Sequence, residues 1–194
     1  MRQVVVFDTE FTTWEGAMQR RWSGPGELRE IVQIGAVQID AHSFDVLETF
    51  ELLIKPVRNP CLSDYFISLT GITQEQVDTY GVGFSEGLTR FLSFAQGLPL
   101  WAYGADVDVL AENMGLYGVS IPPDWPTREQ SNLAPWFHKQ APQTIGVNSG
   151  RLAQVLGAGA VHHEHTGLAD SLSIVSAMKQ LVVGQGASCP FKLI

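Results

Sequence analysis

The stretch Val4-Val5-Val6-Phe7-Asp8-Thr9-Glu10-Phe11 constrains this chain more than any other. An unbroken β-branched run with no helix former in it reads as a buried strand. The strand ends in two acids separated by one residue. In a strand, residues i and i+2 point to the same side, roughly 6–7 Å apart, so Asp8 and Glu10 present two carboxylates side by side. Like charges that close repel unless one takes up a proton or a cation sits between them. A divalent cation is the simplest resolution, and hard oxygen ligands favour Mg²⁺ or Mn²⁺ over zinc. The competing reading is a strand that simply ends in a solvated acidic turn.

The 194 residues suit a single domain, residues 1–194, with a sizeable core. Hydrophobic residues make up 45% and charged residues 16%, a globular balance that argues against disorder. No apolar run approaches a membrane span, and the immediate entry into a strand leaves no room for a signal peptide. Cys61 and Cys189 lie far apart and form no metal or redox spacing, which predicts a reducing, cytoplasmic location. The net charge of −8 offers no bulk attraction for nucleic acid and counts against a long-duplex binder. It counts less against an enzyme whose carboxylates are neutralised by bound cations.

An irregular segment, 12–30, follows the first strand. It carries Trp14, Trp22, Arg20, Arg21, Arg29 and a Gly24-Pro25-Gly26 turn. Aromatics interleaved with arginines beside an acidic site suit a single strand held by stacking and phosphate contact, with Trp14 and Arg20 as the candidates. The alternative is a surface loop pinned by its tryptophans. Residues 31–40 read as a second strand and 46–55 as a third, closed by Pro56. The short link between them suits a hairpin, so the three form an antiparallel meander. Then the pattern changes: helices over 73–78 and 84–96, a short strand over 98–103, a helix over 106–117, a Pro-rich loop, helices over 133–139 and 148–156, and a last helix over 167–183. A meander followed by strand–helix alternation predicts an α/β fold with a mixed sheet.

Two further acids stand out by position. Asp106 opens the helix after the fourth strand, and Asp170 lies in the first turn of the last helix, five residues after His165. Each alone is explained by the helix dipole, which favours a carboxylate near an N-terminus. His162, His163 and His165 cluster nearby, but no cysteine lies at zinc spacing.

Taken together, the segments FDTEF (7–11), EIVQIGAV (30–37), YGADVDVL (103–110) and HTGLAD (165–170) resemble the DEDD exonuclease family, histidine subclass, which includes ribonuclease T, oligoribonuclease and the polymerase III proofreading subunit. A fifth segment, NPCLSDYFISLTGITQEQVD (59–78), is similar to the corresponding stretch of Eri-like 3′→5′ exoribonucleases. The resemblance implies a ribonuclease H-like, mixed five-stranded sheet flanked by helices. It implies Asp8, Glu10, Asp106 and Asp170 as ligands of two divalent ions, Mg²⁺ or Mn²⁺, with His165 as general base. Asp106 is chosen over Asp108 because Leu110 stands four residues after it, where the family has a large apolar residue. It further implies that Thr9, Glu10 and Phe11 hold the terminal nucleotide, with Leu69, Thr70 and Ile72 beside the last base. The implied activity is 3′→5′ hydrolysis of single-stranded nucleic acid with a free 3′ end, RNA favoured, releasing nucleoside 5′-monophosphates. The alternatives are a single-strand DNA exonuclease and a non-catalytic nucleic-acid-binding domain on the same fold. The long segment 12–30 departs from the family pattern.

Overall fold

A computed structural model describes residues 2–159 and 165–191. Its centre is β1 (Gln3–Phe11), buried over Val4–Thr9. β2 (Ile31–Asp40) pairs antiparallel with β1, and β3 (Val46–Leu53) antiparallel with β2. β4 (Leu100–Trp101) pairs parallel with β1 on its other side, giving the order β3-β2-β1-β4. The expected meander and the parallel addition are both present.

The fifth strand is not. Among the described residues its place is taken by one parallel bridge, Ala102 to Asn132. Asn132 lies between two helices, α5 (Arg128–Ser131) and α6 (Ala134–Gln140), and its side-chain oxygen is occupied by the backbone N–H groups of Gly104 and Ala134. The chain there turns from one short helix into the next and has no extended run with which to pair. β4 is likewise shorter than 98–103. Leu98 donates to the carbonyl of Ala95 at the end of a helix, and Pro99 has no N–H to give.

Strand parity sorts the core into two layers. Val4 and Val6 enter a cluster with Val37, Ile39, Ile174 and Met178, on the side of α8 (Gly167–Lys179). Val5 and Phe7 enter the opposite cluster with Phe91, Val107 and Leu110, on the side of α3 (Phe84–Ala95) and α4 (Asp106–Leu116). A strand alternates faces with period two. The same parity carries Asp8 and Glu10 to the α8 side and Thr9 to the α4 side.

A smaller cluster of Val32, Leu62, Phe66, Ile72 and Val77 forms under α1 (Asp64–Thr70) and α2 (Gln74–Tyr80). Helix α1 is not among the expected elements. Ser63 caps its start by accepting from the N–H of Phe66, and Gly71 closes it in the left-handed conformation. The helix expected over 148–156 divides into a 3₁₀ turn, Ser149–Arg151, and a single helical turn, α7 (Leu152–Val155). Helix α8 ends at Lys179 and continues as a π-turn, Gln180–Gly184. Among the described residues no helix is long and apolar enough to cross a membrane.

Candidate active site

Three elements converge at the C-terminal end of β1. The N-terminus of α8 reaches Asp8 because β2 carries glycine opposite it: Asp8 pairs with Gly35. A Cβ on Gly35 would stand 1.9 Å from the Leu168 nitrogen. No side chain fits between this strand and this helix end. Two polar side chains bolt the contact. Ser171 Oγ donates to the carbonyl of Gly35 at 3.0 Å, and the Gly167 N–H donates to Gln33 Oε1 at 2.8 Å.

That approach sets Asp170 beside the β1 acids. Asp8, Glu10 and Asp170 each offer an oxygen, and these atoms lie within 4.8 Å of one another. Asp170 is clamped at both oxygens, by Ser149 Oγ at 2.8 Å and by the backbone N–H of His165 at 3.1 Å. Gly150 stands so close that an added Cβ would lie 2.5 Å from Asp170 Oδ1. This close approach falls within the 3₁₀ turn Ser149–Arg151, which Asn148 caps by accepting from the N–H of Arg151.

Asp106 arrives from the α4 side. Its Oδ1 accepts from the backbone N–H of Thr9 at 3.1 Å and from the Thr9 hydroxyl at 2.7 Å. It is 7% exposed. Asp108, two residues on, lies half in solvent and faces Arg128 at 3.8 Å, in a separate cleft. Two residues along a helix turn the side chain by roughly 200°, so the two aspartates point apart: Asp106 is held against β1 by Thr9, outside the group of three acids whose oxygens lie within 4.8 Å of one another.

The electrostatics are those of crowded, buried acids. Burial raises the pKa of Asp8 well above its usual range, and the charges of Asp106, Asp170 and Glu10 raise it further, against a lowering bond from Ser149. Burial, then Asp170 and Asp106, does the same to Glu10. Burial pushes Asp106 up to about 6, against the lowering bonds from Thr9. A site of crowded carboxylates, buried at Asp8 and Asp170 and half-buried at Glu10, disfavours its own charge and suits a hard divalent cation.

His165 is half-buried and has φ 68°, a left-handed conformation uncommon for a residue with a side chain. The conformation aims its backbone N–H at Asp170, so histidine and ligand candidate form one unit. His162 and His163 lie outside the described residues.

Beside the acids opens a cleft of 670 Å³ lined in part by Leu69, Thr70, Ile72, Gln33 and Thr166. Thr70 is folded back: its hydroxyl donates to the Phe66 carbonyl and accepts from the Ile72 N–H. Phe11 lies at the other end of the site, edge-on to Trp22 with ring centroids 5.5 Å apart and under the Arg29 guanidinium at 5.7 Å.

The segment 12–30 has neither helix nor strand. Arg20 is engaged within it, ion-paired to Glu27 and donating to the Glu15 carbonyl at 2.9 Å. Trp14 is half-buried, and neither residue lines either cleft. The residues of this segment that line the second cleft, of 650 Å³, include Arg21, Trp22 and Arg29. Sequence reasoning missed Gln33, Ser149, Gly35 and Gly150. Their only trace was glycine in an apolar strand and a short polar run before α7, neither of which points to a partner far along the chain.

The family model described as Exonuclease (RNase_T) matches residues 5–178. The human 3′-5′ exoribonuclease 1 is 37% identical over 75 residues, which is 39% of this chain and 20% of that protein. The chain thus matches about a fifth of that relative's length. The nuclease domain of 3′hExo, a DEDDh family member bound to rAMP, superposes with TM-score 0.74 at 24% identity, covering 98% of this chain and 94% of that one. E. coli exonuclease I in complex with a dT13 oligonucleotide superposes with TM-score 0.69 at 16% identity, covering 95% of this chain and 42% of that one. These two likenesses extend over nearly the whole chain and show the ribonuclease H-like exonuclease fold. With a family model matched from the first strand to the last turn of α8, this chain belongs to the exonuclease family typified by ribonuclease T.

Proposed function

We propose that this protein is a divalent-metal-dependent 3′→5′ exonuclease that removes nucleoside 5′-monophosphates from the 3′ end of single-stranded RNA. The observation that carries the proposal is the meeting of the Asp8, Glu10 and Asp170 oxygens within 4.8 Å of one another, with Asp106 held on Thr9 beside them. All-oxygen donors fit Mg²⁺ or Mn²⁺ and two ions in all, the number carried over from the family. When bound, such ions make a water nucleophilic near neutral pH and spread charge from a phosphate.

The chain's own residues do the rest. Asp8, Glu10, Asp106 and Asp170 hold the ions. The His165 imidazole takes the proton from the attacking water, and its tie to Asp170 keeps it beside the ligands. The turn 9–11 holds the terminal sugar, and Leu69, Thr70 and Ile72 receive the terminal base in their cleft. Trp14 and Arg20 act from the segment 12–30. Free Cys61 and Cys189 suit a cytoplasmic setting.

The test is hydrolysis of labelled, matched RNA and DNA oligomers with Mg²⁺, Mn²⁺ or EDTA. RNA shortened stepwise from the 3′ end, with EDTA abolishing it, is the expected result. A fold shared with a dT13-bound exonuclease makes DNA the competing substrate, and equal or faster cleavage of DNA would replace RNA with it. No cleavage of either would return the protein to a binding role.

A further inference from the structure

We propose that Glu51, aimed by Gln33, reads the 3′-terminal base by accepting a hydrogen bond from its exocyclic amine. The proposal rests on the exonuclease reading above and names the preference of that same site.

Strand register places Glu51. Asp8 pairs with Gly35, and Gly35 pairs with Glu51. Glu10 pairs with Gln33, and Gln33 with Leu53. Paired residues share a face of the sheet, so Glu51 stands on the same face as the acids, two strands away. Strands are spaced ~4.8 Å apart, which puts it roughly 10 Å from Asp8. A nucleotide whose phosphate lies at the acids and whose base crosses β2 therefore brings the base edge to β3.

The cleft over β3 is where that base would lie. Leu53, Leu69 and Ile72 give it apolar walls, and Glu51 is the one charged side chain among the described residues lining it. A carboxylate repels phosphate and accepts hydrogen bonds without donating any. In a nucleotide cleft it can serve only a donor on the base or sugar.

Gln33 fixes where the carboxylate points. The Gly167 N–H can only donate, so the Gln33 oxygen must be the atom that faces it, at 2.8 Å. That forces the amide nitrogen outward, where it donates to Glu51 Oε1 at 3.1 Å. Gln33 is 5% exposed and held at both ends, whereas Glu51 lies in the open. One carboxylate oxygen is thereby engaged on the protein, which leaves the other, on a residue that lines the cleft, for a ligand. Adenine, cytosine and guanine carry an exocyclic amine; uracil and thymine do not.

The experiment uses single-turnover hydrolysis of otherwise identical RNA oligomers ending in adenosine, purine riboside, uridine or 2′-deoxyadenosine, with wild type, Glu51→Leu and Glu51→Gln. Purine riboside is adenosine without the amine. Wild type should favour the adenosine end over purine riboside by roughly tenfold or more, the factor for one hydrogen bond to a charged acceptor. The adenosine-to-2′-deoxyadenosine ratio should be the same in wild type and Glu51→Leu. Glu51→Leu should bring the adenosine-to-purine-riboside ratio close to one while cleaving purine riboside at the wild-type rate. Glu51→Gln gives its oxygen to Gln33 and presents an NH₂, so it should favour uridine. A wild type indifferent to the amine overturns the proposal, as does a Glu51→Leu variant that keeps the preference. A 2′-deoxyadenosine effect that disappears in Glu51→Leu also overturns it, because the acceptor then serves the ribose. Equilibrium binding of AMP against purine riboside 5′-monophosphate reads the same contact without turnover. Absent hydrolysis with the binding preference intact counts against the nuclease reading alone; equal binding of the two counts against Glu51.

Discussion

Thr9 holds Asp106 twice: its backbone N–H and its hydroxyl both donate to the same carboxylate oxygen, at 3.1 and 2.7 Å. Residue 9 lies between two acids that face the other side of the sheet. The strand therefore positions three carboxylates, two with its own side chains and one through the residue between them. Asp106→Asn should remove nearly all turnover and Asp108→Asn little, since Asp108 faces Arg128 in the other cleft. Thr9→Val keeps shape and loses one hydrogen bond, and should reduce kcat by roughly tenfold. Single-turnover rates at saturating metal check all three; equal losses in the two aspartate variants would move Asp106 out of the site.

Metal-free stability should fall as pH rises. Asp8, Glu10 and Asp106 all have raised pKa values, Asp106 to about 6. Such groups bind protons more tightly in the folded chain than in the unfolded one. Their destabilisation is absent below the unfolded carboxylate range of about 4 and is fully developed above the folded values. In EDTA, Tm should decline between about pH 4.5 and 7 relative to Asp106→Asn, measured by thermal melting. Mn²⁺ should reverse the trend, because binding needs the deprotonated acids and stabilises the state that binds. Asp8→Ala should melt no lower than wild type without metal and gain much less from Mn²⁺. A wild-type Tm unmoved by millimolar Mn²⁺ would contradict the metal assignment.

His165→Ala should lose about 10²–10⁴ in rate, the usual value of a positioned proton transfer, and should lose the acidic limb of the pH–rate profile. Because its bond to Asp170 is made by backbone, the variant should keep most of its Mn²⁺-dependent rise in Tm. Near-normal turnover at neutral pH would take the histidine out of the mechanism.

Arg20 allows a test by its partner. The Arg20 guanidinium is committed to Glu27 and to the Glu15 carbonyl. If it acts by shaping the segment 12–30, Arg20→Ala and Glu27→Ala should both raise KM for a single-stranded oligomer, with kcat little changed. A direct phosphate contact predicts instead that Glu27→Ala, which frees the arginine, lowers KM. Steady-state kinetics on the two variants decide between these.

Among the described residues the cleft beside the acids is lined by no lysine or arginine and carries Glu51. An oligomer ending in a 3′-phosphate should be cut roughly a hundredfold more slowly than its 3′-hydroxyl twin, the scale of an uncompensated like-charge contact. Removing that phosphate with a phosphatase should restore the rate, followed on a denaturing gel.

What the sequence determined here is local or periodic. The period-two alternation of β1 sets Asp8 and Glu10 on one face, and the meander follows from a short polar hairpin between two apolar runs. The cap of α1, Ser63 before an acid and Gly71 at its end, is local as well, yet that helix was not among the expected elements. What only the tertiary structure decided are partnerships between residues far apart. Gln33 meets Gly167 and Glu51, and Ser149 meets Asp170, through contacts that no local pattern encodes. Gly35 reads in sequence as a weak point in a strand, yet it is where α8 comes close enough to bring Asp170 to Asp8. Two arginines one residue apart in the sequence, Arg20 and Arg21, part in the same way: the loop's turns fold one onto Glu27 and leave the other lining a cleft. Periodicity fixes which face a side chain takes, because the backbone repeat is intrinsic; which residue waits on that face depends on how distant elements close-pack, and that is settled only when the whole core assembles.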